Sequence, residues 1–373
     1  MPLEAIGLLV VVALAAALLA WGARAGHAGE TGGHALWPAD GSALVVYRVG
    51  SGSLVARFTS AAGRVSRRSL GAGVDVRLIA GGRRPVLLVT EPDGGHRLLR
   101  FSPASGRWST LAAALPAHDL TTAVLAGGLV YLPVGTGARA SIVALDAGGR
   151  VVTRAALPVL EPDPSALVTA PGAAIGVARP GRGRVVALLA AGGDVLAVTA
   201  TTQAADVTDL RTRETVSLAG YRRVAAATVG GDGAVYLLAG RSDPAFTLRF
   251  LRLAVHPLRV LWAWDTDAAP GGTAFAALPS TYGAVFSAPA AGSPWAASGT
   301  DLWTIDASGA RRDTAVPAGL GSRMGPGRDG SVLLYGGSAG AAVTRLDTDD
   351  GASSRADARL LAPSGATVLL AGD

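Results

Sequence analysis

Apolar residues in this chain come in short runs, not long stripes. From Ala35 onward, runs rich in Val, Leu, Ala and Thr alternate with Gly, Pro, Asp and Ser clusters. Runs of that length, bounded by turn residues, read as β-strands. No window carries the i, i+3, i+4 stripe of a long amphipathic helix. The expected class is therefore all-β.

The runs also repeat. ADGSALVVY begins at Ala39, AGGRRPVLLV at Ala80, AGGLVYLPV at Ala126 and APGAAIGVA at Ala170. GGDGAVYLL follows at Gly230, TYGAVFSA at Thr281, GRDGSVLLY at Gly327 and APSGATVLL at Ala362. Between them lies a second motif, an apolar run, a polar corner and another run. Examples are LLRFSPASGRW from Leu98, IVALDAGGRV from Ile142 and LWTIDASGAR from Leu302. Glycines at 106, 149, 193, 309 and 351 mark the corners, where tight hairpins need positive φ. Asp146, Asp306 and Asp347 stand just before corners, placed to hydrogen-bond the turn backbone.

The repeat spacing of ~40–60 residues is that of propeller blades. A four-stranded antiparallel sheet cannot bury both faces alone, but blades stacked around an axis bury them against each other. The second motif then reads as strand C, corner and strand D of successive blades. The expected architecture is a β-propeller of seven blades with four antiparallel strands each; eight is the alternative. A last hairpin over residues 360–373 is expected to pair with the first blade and close the ring.

The corners, of the form apolar-x-x-Asp-Ala-x-x-Gly, resemble the repeats of PQQ-like (quinoprotein-type) propellers and the related YVTN propellers. SPASGRWSTL from Ser102 is the closest copy, with Trp108 where that family stacks a blade tryptophan. The resemblance spans most of residues 35–373 and implies the architecture. Quinoprotein dehydrogenases pair adjacent cysteines beside their cofactor, and this chain has no cysteine. No cofactor is expected.

Ahead of the propeller, residues 5–23 carry no charge and read IGLLVVVALAAALLAW at their centre. That is close to the ~20 residues that cross a bilayer as one helix. Trp21 would sit at the interface, and Arg24 follows. Residues 1–25 are expected to form a transmembrane signal-anchor. The rival is a cleaved signal peptide, since 23–25 reads Ala-Arg-Ala, but the apolar part is long and no basic side chain precedes it. Residues 26–34 form a Gly-rich tether and 35–373 the propeller. The expected location is the cell membrane, single-pass, with the propeller outside the cytoplasm.

Composition changes this picture little. The absence of cysteine excludes disulfides, thiolate metal sites and a cysteine nucleophile. The formal charge is +6 and no lysine occurs, so every basic residue besides histidine is arginine. Scattered arginines without an aromatic-basic face do not suggest nucleic acid. A composition rich in Ala, Gly, Val and Leu accompanies the arginine bias, and an anionic partner is the sharper alternative.

Catalytic and metal signatures are thin. The histidines are His27, His34, His96, His118 and His256, with no H-x-x-x-H or HExxH spacing, so no metal site is expected. No G-x-S-x-G elbow frames a serine. LDTDDG from Leu346 is one residue short of a calcium loop and lacks its distal glutamate.

Candidate binding residues come from the connections B-to-C and D-to-A, which share one face of a propeller. Arg179, Arg182 and Arg184 crowd the segment ARPGRGR; Asp265 and Asp267 follow Trp262 and Trp264. Trp295 lies in a long B-to-C loop, and His118, Asp119, Glu161 and Asp163 lie in neighbouring connections. Residues 203–223 read as a long D-to-A insertion. The expected function is a binding or scaffold module for a protein partner in a membrane or envelope complex. The alternatives are a glycan or solute sensor and a lyase or hydrolase at the channel mouth.

Overall fold

The computed structural model describes residues 41–80, 86–93, 95–102, 105–115, 123–134, 141–156, 184–200, 204–241, 247–266, 276–280, 282–289, 299–317, 323–328, 331–335, 343–347, 353–355 and 358–372. The expected membrane span and tether lie outside them. Among the described residues no helix is long and apolar enough to cross a membrane.

The strands follow one another as seven four-stranded antiparallel sheets. Blade 1 holds β1 (Ala43–Val49), β2 (Leu54–Thr59) and β3 (Val65–Gly71). Blade 2 holds β4 (Asp75–Ala80), β5 (Val86–Thr90), β6 (His96–Ser102) and β7 (Arg107–Leu115). Blade 3 is β8 (Val124–Ala126), β9 (Leu129–Val134), β10 (Ser141–Leu145) and β11 (Val151–Ala156). Blade 4 is β12 (Arg184–Ala191), β13 (Asp194–Ala200), β14 (Ala204–Asp209) and β15 (Thr215–Ala219). Blade 5 is β16 (Tyr221–Val229), β17 (Val235–Arg241), β18 (Thr247–Val255) and β19 (Leu258–Thr266). Blade 6 is β20 (Ala276–Ser280), β21 (Gly283–Pro289), β22 (Gly299–Asp306) and β23 (Gly309–Pro317). Blade 7 is β24 (Arg323–Pro326), β25 (Val332–Tyr335), β26 (Thr344–Leu346) and β27 (Ser353–Arg355). The last strand, β28 (Ala366–Gly372), returns to pair antiparallel with β1 as the innermost strand of blade 1.

The architecture is thus the seven-bladed propeller expected, not the eight-bladed one. Two details differ. The closing element is one strand behind a 3₁₀ turn (Ala358–Leu360), not a hairpin. Residues 203–223 are not an insertion; they contain β14, β15 and the start of β16. Gly193 therefore turns A into B, where the sequence suggested a C-to-D corner. The reading slipped because ADVTD carries acids at positions buried on both faces, so it lacks the look of a core strand.

Burial explains why these runs are so apolar. Strands near the axis are covered on both sides: β13 and β17 are buried at nearly every position. Outer strands such as β3 and β19 are largely exposed. Alternate residues of one strand serve two different cores. Leu44 and Val46 pack toward Leu87 and Val89 of blade 2. Ala43, Val45 and Tyr47 pack toward Leu333 and Tyr335 of blade 7. The same division recurs around the ring, so each blade-to-blade seam holds its own apolar cluster.

The corner chemistry is as read. Asp146 Oδ1 accepts from the backbone N–H of Gly148 (2.8 Å) and Arg150 (3.0 Å), and Gly149 takes φ 79°. Asp306 Oδ1 accepts from Ser308 N (2.7 Å) and from the Ser308 hydroxyl. These donors hold both carboxyls below the ordinary aspartate range, the Arg150 backbone bond leading at Asp146 and the Ser308 hydroxyl at Asp306.

Two predictions follow from packing and corners. Phe286 is fully buried against Phe250 in the seam of blades 5 and 6, with ring centroids 5.3 Å apart. Phe286→Ala should cost about 3–5 kcal/mol in urea unfolding. Val151→Ala, at a position 56% exposed, should stay within about 0.5 kcal/mol. The corner aspartates have folded pKa values below their unfolded ~3.9. Their contribution is fully present above about pH 4 and is lost as pH falls through the folded values. Asp146→Asn with Asp306→Asn should therefore lower stability over pH 5–8 and flatten the acid limb of a stability–pH curve, the difference from the parent shrinking as pH falls.

Candidate functional site

The first strands of the blades touch one another in a closed circle: β4, β8, β12, β16, β20, β24 and β28. They form the wall of a central channel. Each starts at the face where D-to-A and B-to-C connections emerge, here the upper face, and ends at the lower face of A-to-B and C-to-D turns.

Charge on this wall is uneven. The seven innermost strands carry five arginines, Arg77, Arg184, Arg222, Arg223 and Arg323, against one acid, Asp75. Every one of these residues lies within the first three positions of its strand, so all these positions fall at the upper end of the wall. The whole chain holds 33 basic and 27 acidic side chains. A general excess of arginine does not account for five to one.

The single acid is spoken for. Arg323 Nη1 donates to Asp75 Oδ1 (2.6 Å) and to the carbonyl of Leu369 (3.1 Å). Blade 7 is thereby tied to blade 2 across the closing strand β28. Arg77 Nε stands 3.5 Å from the other Asp75 oxygen, with its side chain 58% exposed. Arg222 is exposed and has no ion pair among the described residues. Outside the wall, Arg97 bridges Glu91 (2.7 Å) and the carbonyl of Leu70.

Of the nine residues singled out in the sequence, two are described. Asp265, near the end of β19, accepts a two-point bond from Arg249 on β18, with Nη2 to Oδ2 at 2.9 Å. Arg249's hydrogen bonds hold its carboxyl below the usual range, so Asp265 is a cross-strand strut. Arg184 opens β12 and so stands on the channel wall. Arg179, Arg182, Asp267, Trp295, His118, Glu161 and Asp163 lie outside the described residues. Along the chain they fall between β7 and β8, β11 and β12, β19 and β20, or β21 and β22. All of these are D-to-A or B-to-C connections.

Trp262 and Trp264 project toward blade 6, as their spacing implies. Trp262 sets its edge on Tyr236, centroids 6.4 Å apart, and Trp264 lies against Gly309. They pack blades rather than form a platform. Sequence reasoning missed Asp75, Arg77, Arg222, Arg223 and Arg323. The signal was an arginine opening an innermost strand, visible only once strand order is known.

The lower face carries the group best able to hold a cation. Asp194 (start of β13), Asp209 (end of β14) and His256 (corner of β18 and β19) each bring one ligand atom within 4.8 Å of the others. Asp194 Oδ2 lies 3.2 Å from His256 Nε2 and 2.8 Å from Arg211 Nη2. Arg211 also donates to Asp194 Oδ1, and its hydrogen bonds hold the Asp194 carboxyl low. Asp209 Oδ1 accepts from the backbone N–H of Arg211 (2.7 Å) and Thr212 (3.1 Å). Its Oδ2 is buried and has no hydrogen-bond partner.

No protein-family model matches the chain, and no curated protein matches it in sequence. Solved structures match its fold. A 6-phosphogluconolactonase candidate from Bacteroides uniformis is 14% identical, with a TM-score of 0.57, over 88% of this chain and 98% of that one. A second such candidate, from Bacteroides fragilis, is 13% identical, with a TM-score of 0.50, over 84% and 93%. The dihydro-heme d1 dehydrogenase NirN is 14% identical, with a TM-score of 0.52, over 86% of this chain and 65% of that one. At these identities the likeness is one of fold, a propeller, and it does not show the PQQ-like or YVTN repeat type that the corner motifs resemble.

The Arg323–Asp75 pair should be measurable. With Arg323 37% and Asp75 21% exposed, a double-mutant cycle (Arg323→Ala, Asp75→Ala) should give a coupling of roughly 1 kcal/mol in urea unfolding.

Proposed function

We propose that this chain is a recognition propeller whose upper channel mouth engages an acidic group on a protein partner. The apolar N-terminal segment would hold it at a membrane, with the propeller outside the cytoplasm. The observation that carries the reading is the five-to-one excess of arginine over acid on the innermost strands. Guanidinium groups with planar forks suit carboxylates and phosphates on a partner. The D-to-A and B-to-C connections leave from the strand ends at that face, and loops on a rigid scaffold are where recognition residues collect.

The arginines would equally accept a phosphorylated or acidic small molecule. The neighbours described as 6-phosphogluconolactonase candidates lend the solute reading a fold and nothing more specific. The two readings separate by experiment. Full-length protein extracted gently from its native membrane should carry a stoichiometric partner. Recovery should fall about tenfold with Arg77→Glu plus Arg222→Glu, and with rising salt. A clean monomer whose melting shifts with phosphate esters would establish the solute sensor. A partner retained by the double variant would exclude the mouth as the docking site.

A further inference from the structure

We propose that Asp194, Asp209 and His256 bind one divalent cation of the zinc type, clipping blade 4 to blade 5 on the lower face. This site is separate from the channel mouth and does not rest on the reading above.

The geometry is close to a coordination shell. Two ligands of a tetrahedral zinc at ~2.0–2.1 Å stand about 3.3 Å apart. Asp194 Oδ2 and His256 Nε2 are 3.2 Å apart, one edge of that tetrahedron. All three ligand atoms lie within 4.8 Å of each other, so the third needs only a small side-chain adjustment. His256 is free to make it, with 56% of its side chain exposed. Three protein ligands would leave the fourth position to water, as open zinc sites do.

An independent observation points the same way. Asp209 is 1% exposed, and its Oδ2 has no hydrogen-bond partner while Oδ1 is committed to the turn. A carboxylate oxygen only accepts, and a buried acceptor without a donor is expensive. A metal ion would satisfy it. The ligand set decides which ion: calcium and magnesium take oxygen alone, whereas two carboxylates with an imidazole suit zinc.

Arg211 is the competitor. Its guanidinium bonds both oxygens of Asp194, while Asp209 Oδ2 is left without a donor. The side chain is 65% exposed and can swing into solvent when the ion enters. The ion would sit where the blades are already joined, beside the bond from Leu258 N–H to Glu214 Oε1 (3.1 Å).

The test is zinc titration calorimetry and thermal melting on the full-length chain in detergent. His27→Ala with His34→Ala serves as the background, because the tether histidines could also bind zinc. One ion per chain is expected, with Tm rising about 4 °C when zinc is a hundredfold above Kd. Asp209→Asn preserves the turn acceptor and should weaken binding at least about tenfold, as should His256→Ala. Arg211→Gln should lower Tm without zinc but tighten zinc binding several-fold. A merely structural ion pair would show only the lower Tm. Absence of zinc binding in the background protein, or affinity unchanged by both ligand variants, would overturn the proposal. If Asp209→Asn fails to fold, the Arg211→Gln result decides: no gain in affinity refutes it.

Discussion

Everything in this fold depends on one pairing, β28 against β1. Until the last strand lies beside the first, two seams stay open and the apolar faces of blades 1 and 7 meet water. Leu44 to Val49 run antiparallel to Gly372 to Ala366, with one bulge at Val46 and Tyr47. The joint is reinforced by side chains. Arg323 reaches over β28 to Asp75. Arg57 donates to the carbonyls of Ala358 and Arg359, and Arg359 donates to that of Gly41. Gly325 is needed because a Cβ there would stand 1.9 Å from the Ala371 carbonyl oxygen, so the innermost strand of blade 7 can lie directly on β28. Closure joins the two ends of the propeller domain. The loop-entropy cost grows only slowly with length, while the late non-local contact makes folding slow.

A closed ring gives each strand two cores, which shapes the sequence. A sheet with one wet face would alternate apolar and polar positions. Here β1 reads ALVVY and β13 DVLAVT, because odd and even residues both face a neighbouring blade. Only outer strands regain alternation or exposure. The rule also makes polar intruders conspicuous. Thr199 and Asp206 face each other across β13 and β14, both buried, at a place where packing alone would install valine.

That same property set how much could be read in advance. The C-to-D corners were legible because their chemistry is local: Asp146 and Gly149 make a turn by themselves. Blade count followed from their spacing. Blade 4 was misread because ADVTD and TVSLA look like loop material when judged by composition, and only the ladder from β13 to β14 and on to β15 identifies them. The closing hairpin was misjudged for a similar reason, since nothing local tells one strand from two near a chain end. The channel mouth was legible only at Arg184. Arg77, Arg222 and Arg323 are far apart in the chain, and each is unremarked until its strand is known to be innermost. Likewise Asp194, Asp209 and His256 have no metal-ligand spacing; they meet because an A-to-B turn and two C-to-D corners share the lower face.

The two faces handle charge differently, and the contrast bears on function. Three lower-face acids are bound to their own turn or to a nearby arginine: Asp146 to Arg150, Asp232 to Arg252 and Tyr236, Asp194 to Arg211. Those charges are explained by the fold. At the upper mouth Asp75 serves Arg323, and Arg222 is left without an acid among the described residues. Like charges gathered at one end of the innermost strands repel one another. A partner's carboxylate or phosphate would offset that repulsion. The physical case for recognition at that mouth is therefore the imbalance itself, held in place by strands whose positions the ring fixes.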